Sequence, residues 1–199
     1  MKSALFLSAA VAAALSLAAC SKATTDNARA DAAAAVNTAQ DAAAGPVGQM
    51  SAQTIGSHDT PSFVANAAMS DMYEVEAGKM AQARGKAADV KAFGKMMADG
   101  HTATTAEMKP LAAAAGQTPP AALDERRQGL LDNLKAASDA DFDRVYVDQQ
   151  VAAHQEALTL LTGYAANGDN AGLKGFAAKT APAVQMHLDK ANGMKTAMK

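Results

Sequence analysis

From about residue 61 onward, apolar side chains return every three or four positions, the spacing of helices that lay one face on a core. The stretch "TPSFVANAAMSDMYEVEAGKMAQARG" predicts a first helix from Pro61 to about Arg84. Asp59 or Thr60 serves as its cap, Pro61 suits its first turn, and Gly85 stops it. A second helix runs from about Lys86 to Ala115 and ends at "AGQTPP". A shorter one, about Ala121 to Ala137, carries Leu123, Leu130, Leu131 and Leu134. "SDADFD" restarts the chain, with Ser138 or Asp139 as cap, into a helix lasting to about Ala166. "NGDN" then makes a turn into a last helix from about Ala171 to Met198. Pro110 and Pro182 fall inside the second and last helices, where a missing N–H predicts a kink or a break.

The four long segments, paired by turns at Gly85 and Gly168, predict two antiparallel hairpins joined by about 25 residues that carry the short helix. That connection is long enough to run back along the bundle. The expected fold is therefore all-α, a ferritin-like four-helix bundle with one long crossover. Abundant alanine and scarce β-branched residues agree with it.

Upstream the pattern is different. Residues 1–19 read as a signal peptide: Lys2 provides a positive start, and an apolar run from Ala4 to Leu17 ends in "LAAC". Cys20, the only cysteine of the 199-residue chain, closes that run as the lipidated residue of a lipoprotein signal closes its own. The run is too short to span a bilayer comfortably. With Ser21 rather than aspartate after the cysteine, the expectation is an outer-membrane lipid anchor with the domain facing the periplasm. Residues 20–60 are rich in Ala, Thr, Asp, Asn and Gln, poor in large apolar residues, and punctuated by "GPVGQ" and "IGSHDTP". They read as a solvated tether that reaches up to about 130 Å fully extended. His58 lies in it and is expected at the surface, while the folded domain is expected over residues 61–198.

Charge and composition remove some function classes. The formal net charge is −2, aromatics make up 4% and tryptophan is absent, so neither a basic face nor stacking aromatics point to nucleic acid. One cysteine cannot form an intramolecular disulfide, so stability must come from packing.

Three histidines stand out against the apolar pattern. His101 lies on the stripe Val90, Phe93, Met97, His101, Met108, Leu111. His154 lies on the stripe of Val147, Val151, Leu158 and Leu161, and His187 on that of Leu173, Phe176, Val184 and Met194. Each imidazole should thus point where the core points. In the crossover layout the three, with Glu74, fall within a band of roughly 6 Å along the bundle axis. Glu74 shares a face with Ala67, Ser70, Ala77 and Ala81, whereas Glu76 shares one with Met69, Met72 and Met80, and either carboxylate could face inward. Neutral imidazoles with one carboxylate are good ligands for a divalent transition metal. No Glu-x-x-His occurs in the chain, so the two-metal carboxylate chemistry of many ferritin-like bundles is not expected. The other reading of the layer is structural: polar groups that fix pairing and register.

The segments "MMADGHTATTAEMKPLA", "FDRVYVDQQVAAHQEAL" and "APAVQMHLDKA", with "MSDMYEVEAGKMA" upstream, resemble the bacterial family called domain of unknown function 4142. The resemblance covers about residues 62 to 195. Its marks are Asp99 with His101, Phe142 and Asp143 with Tyr146, His154 and His187; Gly100 stands where the family often has a second aspartate. It implies a secreted or lipid-anchored protein similar in fold to ferritin, and no activity.

Two functions follow as expectations. The sequence favours a lipid-anchored, non-enzymatic envelope or stress-related protein, attached to the membrane by its anchor and binding a partner the sequence does not name. The alternative is a metal-binding or redox protein using His101, His154 and His187 with Glu74 or Glu76. No Ser/His/Asp or Cys/His arrangement with motif spacing is visible, so an esterase or protease ranks below both.

Overall fold

A computed structural model describes residues 8–54 and 58–198, with side chains described from residue 28 onward. Lys2 and the Cys20 side chain lie outside the described residues. The elements are α1 (Ser8–Thr54), α2 (Thr60–Arg84), α3 (Ala88–Ala114), α4 (Glu125–Ala136), α5 (Phe142–Asn167) and α6 (Ala171–Ala197), and the described residues contain no strand. The fold is all-α, as expected.

Local chemistry sets the boundaries. Asp59 caps α2 by accepting from the Ser62 N–H, and Asn170 caps α6 by accepting from Leu173. α4 starts at Glu125 rather than Ala121 because Asp124 is the residue whose carboxylate accepts from the Arg127 N–H. Ser138 does not cap α5 directly. It holds a turn by accepting from Asp141 N–H, and the helix begins at Phe142. Helices α3 and α6 run unbroken through Pro110 and Pro182. At Pro182 the neighbours Ala181 and Val184 are both buried, so packing holds the helix where one backbone bond is missing.

Contacts at the two ends fix the topology. At one end, Thr60 at the start of α2 meets the Tyr164 hydroxyl near the end of α5 and the Asp169 carboxylate in the α5–α6 turn. At the other, Asp143 at the start of α5 accepts from Lys86 N–H (3.0 Å) and Ala87 N–H (2.9 Å) in the α2–α3 turn. Arg84 there donates to the carbonyls of Lys135 (2.8 Å) and Ala137 (2.7 Å), closing the end of α4. The two hairpin turns therefore lie at opposite ends, and the chain between α3 and α5 crosses the whole bundle, carrying α4 with it. Gly85 and Gly168 serve these turns by size: a Cβ on Gly85 would stand 2.6 Å from the Ala81 carbonyl oxygen, and one on Gly168 2.6 Å from the Tyr164 ring.

Two apolar clusters fill the core. One, at the Thr60 end, contains Phe63, Met108, Leu160, Leu173 and Phe176. The other, at the Gly85 end, contains Phe93, Met97, Leu134, Phe142 and Val147. The three histidines lie between them.

The chain divides into two compact units, residues 1–40 and 41–199. In the first, the described side chains are exposed apart from half-buried Asn37. The second begins at Asp41, not at residue 61, because the last turns of α1 pack as a strap. Gly48 and Ala52 are buried, and Asp41 accepts from Asn133 and from Gln149, each at 2.7 Å. Small residues permit the approach: a Cβ on Gly48 would overlap the Glu156 carboxylate. The "GPVGQ" stretch is thus helical and part of the folded unit, with Pro46 inside α1. His58 is exposed, as expected.

Candidate metal centre

Each histidine reaches the bundle centre because its helix repeats every 3.6 residues and its stripe is otherwise apolar. His101, His154 and His187 are all buried. Their ring centroids form a near-equilateral triangle with sides of 5.8, 6.0 and 5.5 Å. One nitrogen from each ring lies within 4.8 Å of the other two. Close contact between α2 and α3 supports this convergence. Gly78 and Gly94 face each other so tightly that a Cβ on Gly78 would stand 2.5 Å from the Gly94 oxygen, which draws the acidic side of α2 onto α3.

The outer edges of two rings are tied. His101 Nδ1 donates to Asp71 Oδ1 at 2.7 Å, and Asp71 Oδ2 accepts from the hydroxyls of Thr104 and Thr105, each at 2.9 Å. His154 Nδ1 donates to the Gln150 carbonyl one turn earlier, at 2.9 Å. A proton held on Nδ1 leaves the Nε2 lone pair free on both rings. A carboxylate or carbonyl behind a histidine is the usual way in which metal-binding imidazoles are oriented.

The inner atoms have no such partners. Among the described residues, seven buried side-chain polar atoms lack a hydrogen bond, and they belong to six residues: Glu74, His101, Tyr146, Gln150, His154 and His187. The histidine atoms are His101 Nε2, His154 Nε2 and His187 Nδ1. Each unsatisfied buried polar group costs about 1–3 kcal/mol, so such atoms are rarely gathered in one place.

Electrostatics point the same way. Burial, then repulsion from His101, pushes His154 down to about 3; burial, then His101, pushes His187 down to about 4. Both rings are neutral at pH 7, the form that binds metals. Burial also pushes His101 down, but its bond to Asp71 and the charges of Glu74 and Asp71 outweigh that, and its pKa rises. Burial raises Glu74 to about 7, against the pull of His101. The Gln150 amide is near enough to temper that rise, yet placed so that neither of its own polar atoms gains a well-formed bond.

Of the two carboxylates singled out in the sequence, Glu74 is buried, with Oε1 3.7 Å from His154 Nδ1. It stands beside the imidazole triad, not among the atoms within 4.8 Å. Glu76 is excluded. Two residues further on, it has turned to the opposite face, where it is exposed and pairs with Lys79 at 2.7 Å. Asp99 is also at the surface, paired with Lys95, and Asp143 caps the distant turn. Sequence reasoning missed Asp71, Gln150 and Tyr146 as members of the site. Asp71 had a signal: it lies three residues before Glu74, one turn away on the same face.

Three neutral imidazoles suit zinc, copper, nickel, cobalt or ferrous iron. With metal–nitrogen distances of about 2.0–2.1 Å, closing the triad around one ion needs a movement of less than about 1 Å per ring.

The family model described as "Domain of unknown function (DUF4142)" matches residues 45–194. That span starts within the α1 strap and includes all three histidines. No curated protein and no solved structure matches the chain.

Proposed function

The chain belongs to the DUF4142 family, and from that premise we propose that it is a mononuclear transition-metal-binding bundle, held at the periplasmic face of the outer membrane through lipidated Cys20. The observation that carries the metal reading is the set of three buried imidazoles that bring one nitrogen each to within 4.8 Å of the others and each keep one buried nitrogen unpartnered, with two rings tied from behind by Asp71 and Gln150. His101, His154 and His187 are the ligands. Glu74 supplies negative charge beside them, and Asp71 and the Gln150 carbonyl set ring orientation. A layer that served only to fix register would gain by pairing its polar atoms with one another, as the Arg127–Glu156 pair does elsewhere in this bundle. The anchor reading is supported by "LAAC" at the end of the apolar run.

The test is calorimetry on the full chain with zinc, copper, nickel and ferrous iron added separately. The expected result is one ion bound per chain, with binding lost in a triple His101→Ala, His154→Ala, His187→Ala protein that keeps its helical circular dichroism. Equal binding by both proteins would refute the reading. For the anchor, acyl labelling that persists after Cys20→Ser would refute lipidation at that residue.

A further inference from the structure

Directly beside the histidine layer, on its Thr60 side, the four long helices leave a cavity of about 30 Å³. Its level follows from the lining: Thr104 is three residues after His101, Ala157 three after His154, and Val184 three before His187. Each step is one helical turn, about 5 Å, and all three lead the same way along the bundle. His101 belongs to both the cavity wall and the triad.

The wall is apolar where it matters. Ala67, Ala157, Leu160, Leu161, Phe176 and Val184 form most of it. Of its polar side chains, Asp71, Thr104 and Thr180 have their atoms engaged elsewhere, while His101 keeps one unpartnered nitrogen. Asp71 takes His101 Nδ1 on one oxygen and the Thr104 and Thr105 hydroxyls on the other, and the Thr180 hydroxyl donates to the Phe176 carbonyl at 2.8 Å. Half-buried Ser70, Thr104 and Thr180 mark the side nearest solvent. A buried water needs two to four polar partners, and this wall offers few. A single water occupies about 10–15 Å³ of such space, so the cavity holds roughly two heavy atoms.

We propose that this cavity binds a neutral diatomic gas and holds it against the histidine layer, within reach of the metal. What the guest meets there rests on the metal-binding reading above; three protein ligands leave a coordination position for a small molecule. Dioxygen, nitric oxide and carbon monoxide share the required chemistry: two heavy atoms, no net charge and no need of hydrogen bonds.

Two probes separate this proposal from the reading beneath it. Xenon added to the metal-free full chain tests the cavity alone. A saturable xenon NMR shift is expected, weakened about tenfold or more in Ala157→Leu, which fills the space, and strengthened in Leu160→Ala, which enlarges it. Nitric oxide added without oxygen to the ferrous chain tests the contact with the metal. An iron–nitrosyl EPR signal is expected, lost in Ala157→Leu at nitric oxide levels that saturate the unaltered chain, while iron binding stays within about twofold. If Ala157→Leu does not fold, Val184→Phe serves in its place, with circular dichroism as the control. No xenon shift, or a nitrosyl signal that is absent or indifferent to filling the cavity, would overturn the proposal. A chain that takes up no iron would instead overturn the metal reading, and xenon would then decide for the cavity.

Discussion

Two buried polar clusters sit in the same bundle, and they are built on opposite principles. The first joins α2, α4 and α5. Buried Arg127 donates to Glu156 at 2.7 Å, to Asn66 and to Asp124, while Arg126 donates to Glu156, also at 2.7 Å, and to the Ala44 carbonyl of the strap. None of its side-chain atoms is among the buried unpartnered ones. The second is the histidine layer, which has all seven of those atoms. Desolvation penalises both. Only the first recovers that penalty within the protein, and so it accounts for itself as structure. The second is tied at its rear and open at its centre, which is how a binding site differs from a structural network.

This contrast can be broken most forcefully at Arg127. Arg127→Ala leaves Glu156 buried with half its partners gone and should destabilise the chain by about 3–5 kcal/mol in urea unfolding. Metal affinity should stay unchanged, since Arg127 touches no residue of the triad. A matching loss of metal affinity in the folded variant would show that the two clusters are not independent.

Glu74 should behave in the reverse sense. Burial raises its pKa from 4.5 to about 7, so at pH 8 the metal-free protein holds a carboxylate in an unfavourable place. Glu74→Gln should therefore stabilise the metal-free chain at pH 8, by roughly 2–3 kcal/mol, while weakening metal binding. A variant that loses both stability and affinity would assign Glu74 to structure.

The next effect is at Asp71. Asp71→Asn keeps the shape but removes the charge behind His101, and metal affinity should fall about 10- to 100-fold. An unchanged affinity would mean that His101 is not a ligand.

The smallest effect is on pH dependence. His154 and His187 have lowered pKa values, so from about pH 4 to 6.5 the unfolded chain binds more protons than the folded one, and stability rises with pH. Glu74 acts oppositely: from pH 4.5 to about 7 the folded chain keeps a proton that the unfolded chain has lost, and stability falls. Two imidazoles outweigh one carboxyl up to about pH 6.5, so stability rises over that range, and above it Glu74 and the raised His101 act in the opposite sense. Metal-free stability from this layer should peak near pH 6.5 in urea melts. Metal affinity should climb through pH 7 as Glu74 gives up its proton. A flat stability profile would remove the layer from the account.

The sequence was informative where periodicity carries weight. A histidine among Val147, Val151, Leu158 and Leu161 has to point inward, and three such stripes in one topology had to bring the rings to one level. The pattern was weaker on α2, where alanine lines much of the buried face and does little to distinguish Glu74 from Glu76. It failed for residues 41–54, because the strap packs through Gly45, Gly48 and Ala52, whose lack of bulk is what permits close approach and also what hides it from a hydrophobic pattern. Asp71, Gln150 and the cavity depend on side-chain placement across helices, which no spacing along one helix records.

The central claim is that His101, His154 and His187 hold one metal ion through their inward nitrogens. X-ray absorption on the zinc-loaded full chain tests it most directly. The account predicts three imidazole nitrogens at about 2.0–2.1 Å, the remaining ligands being oxygen. A first shell of oxygen alone, or one unchanged by His154→Ala, would contradict it.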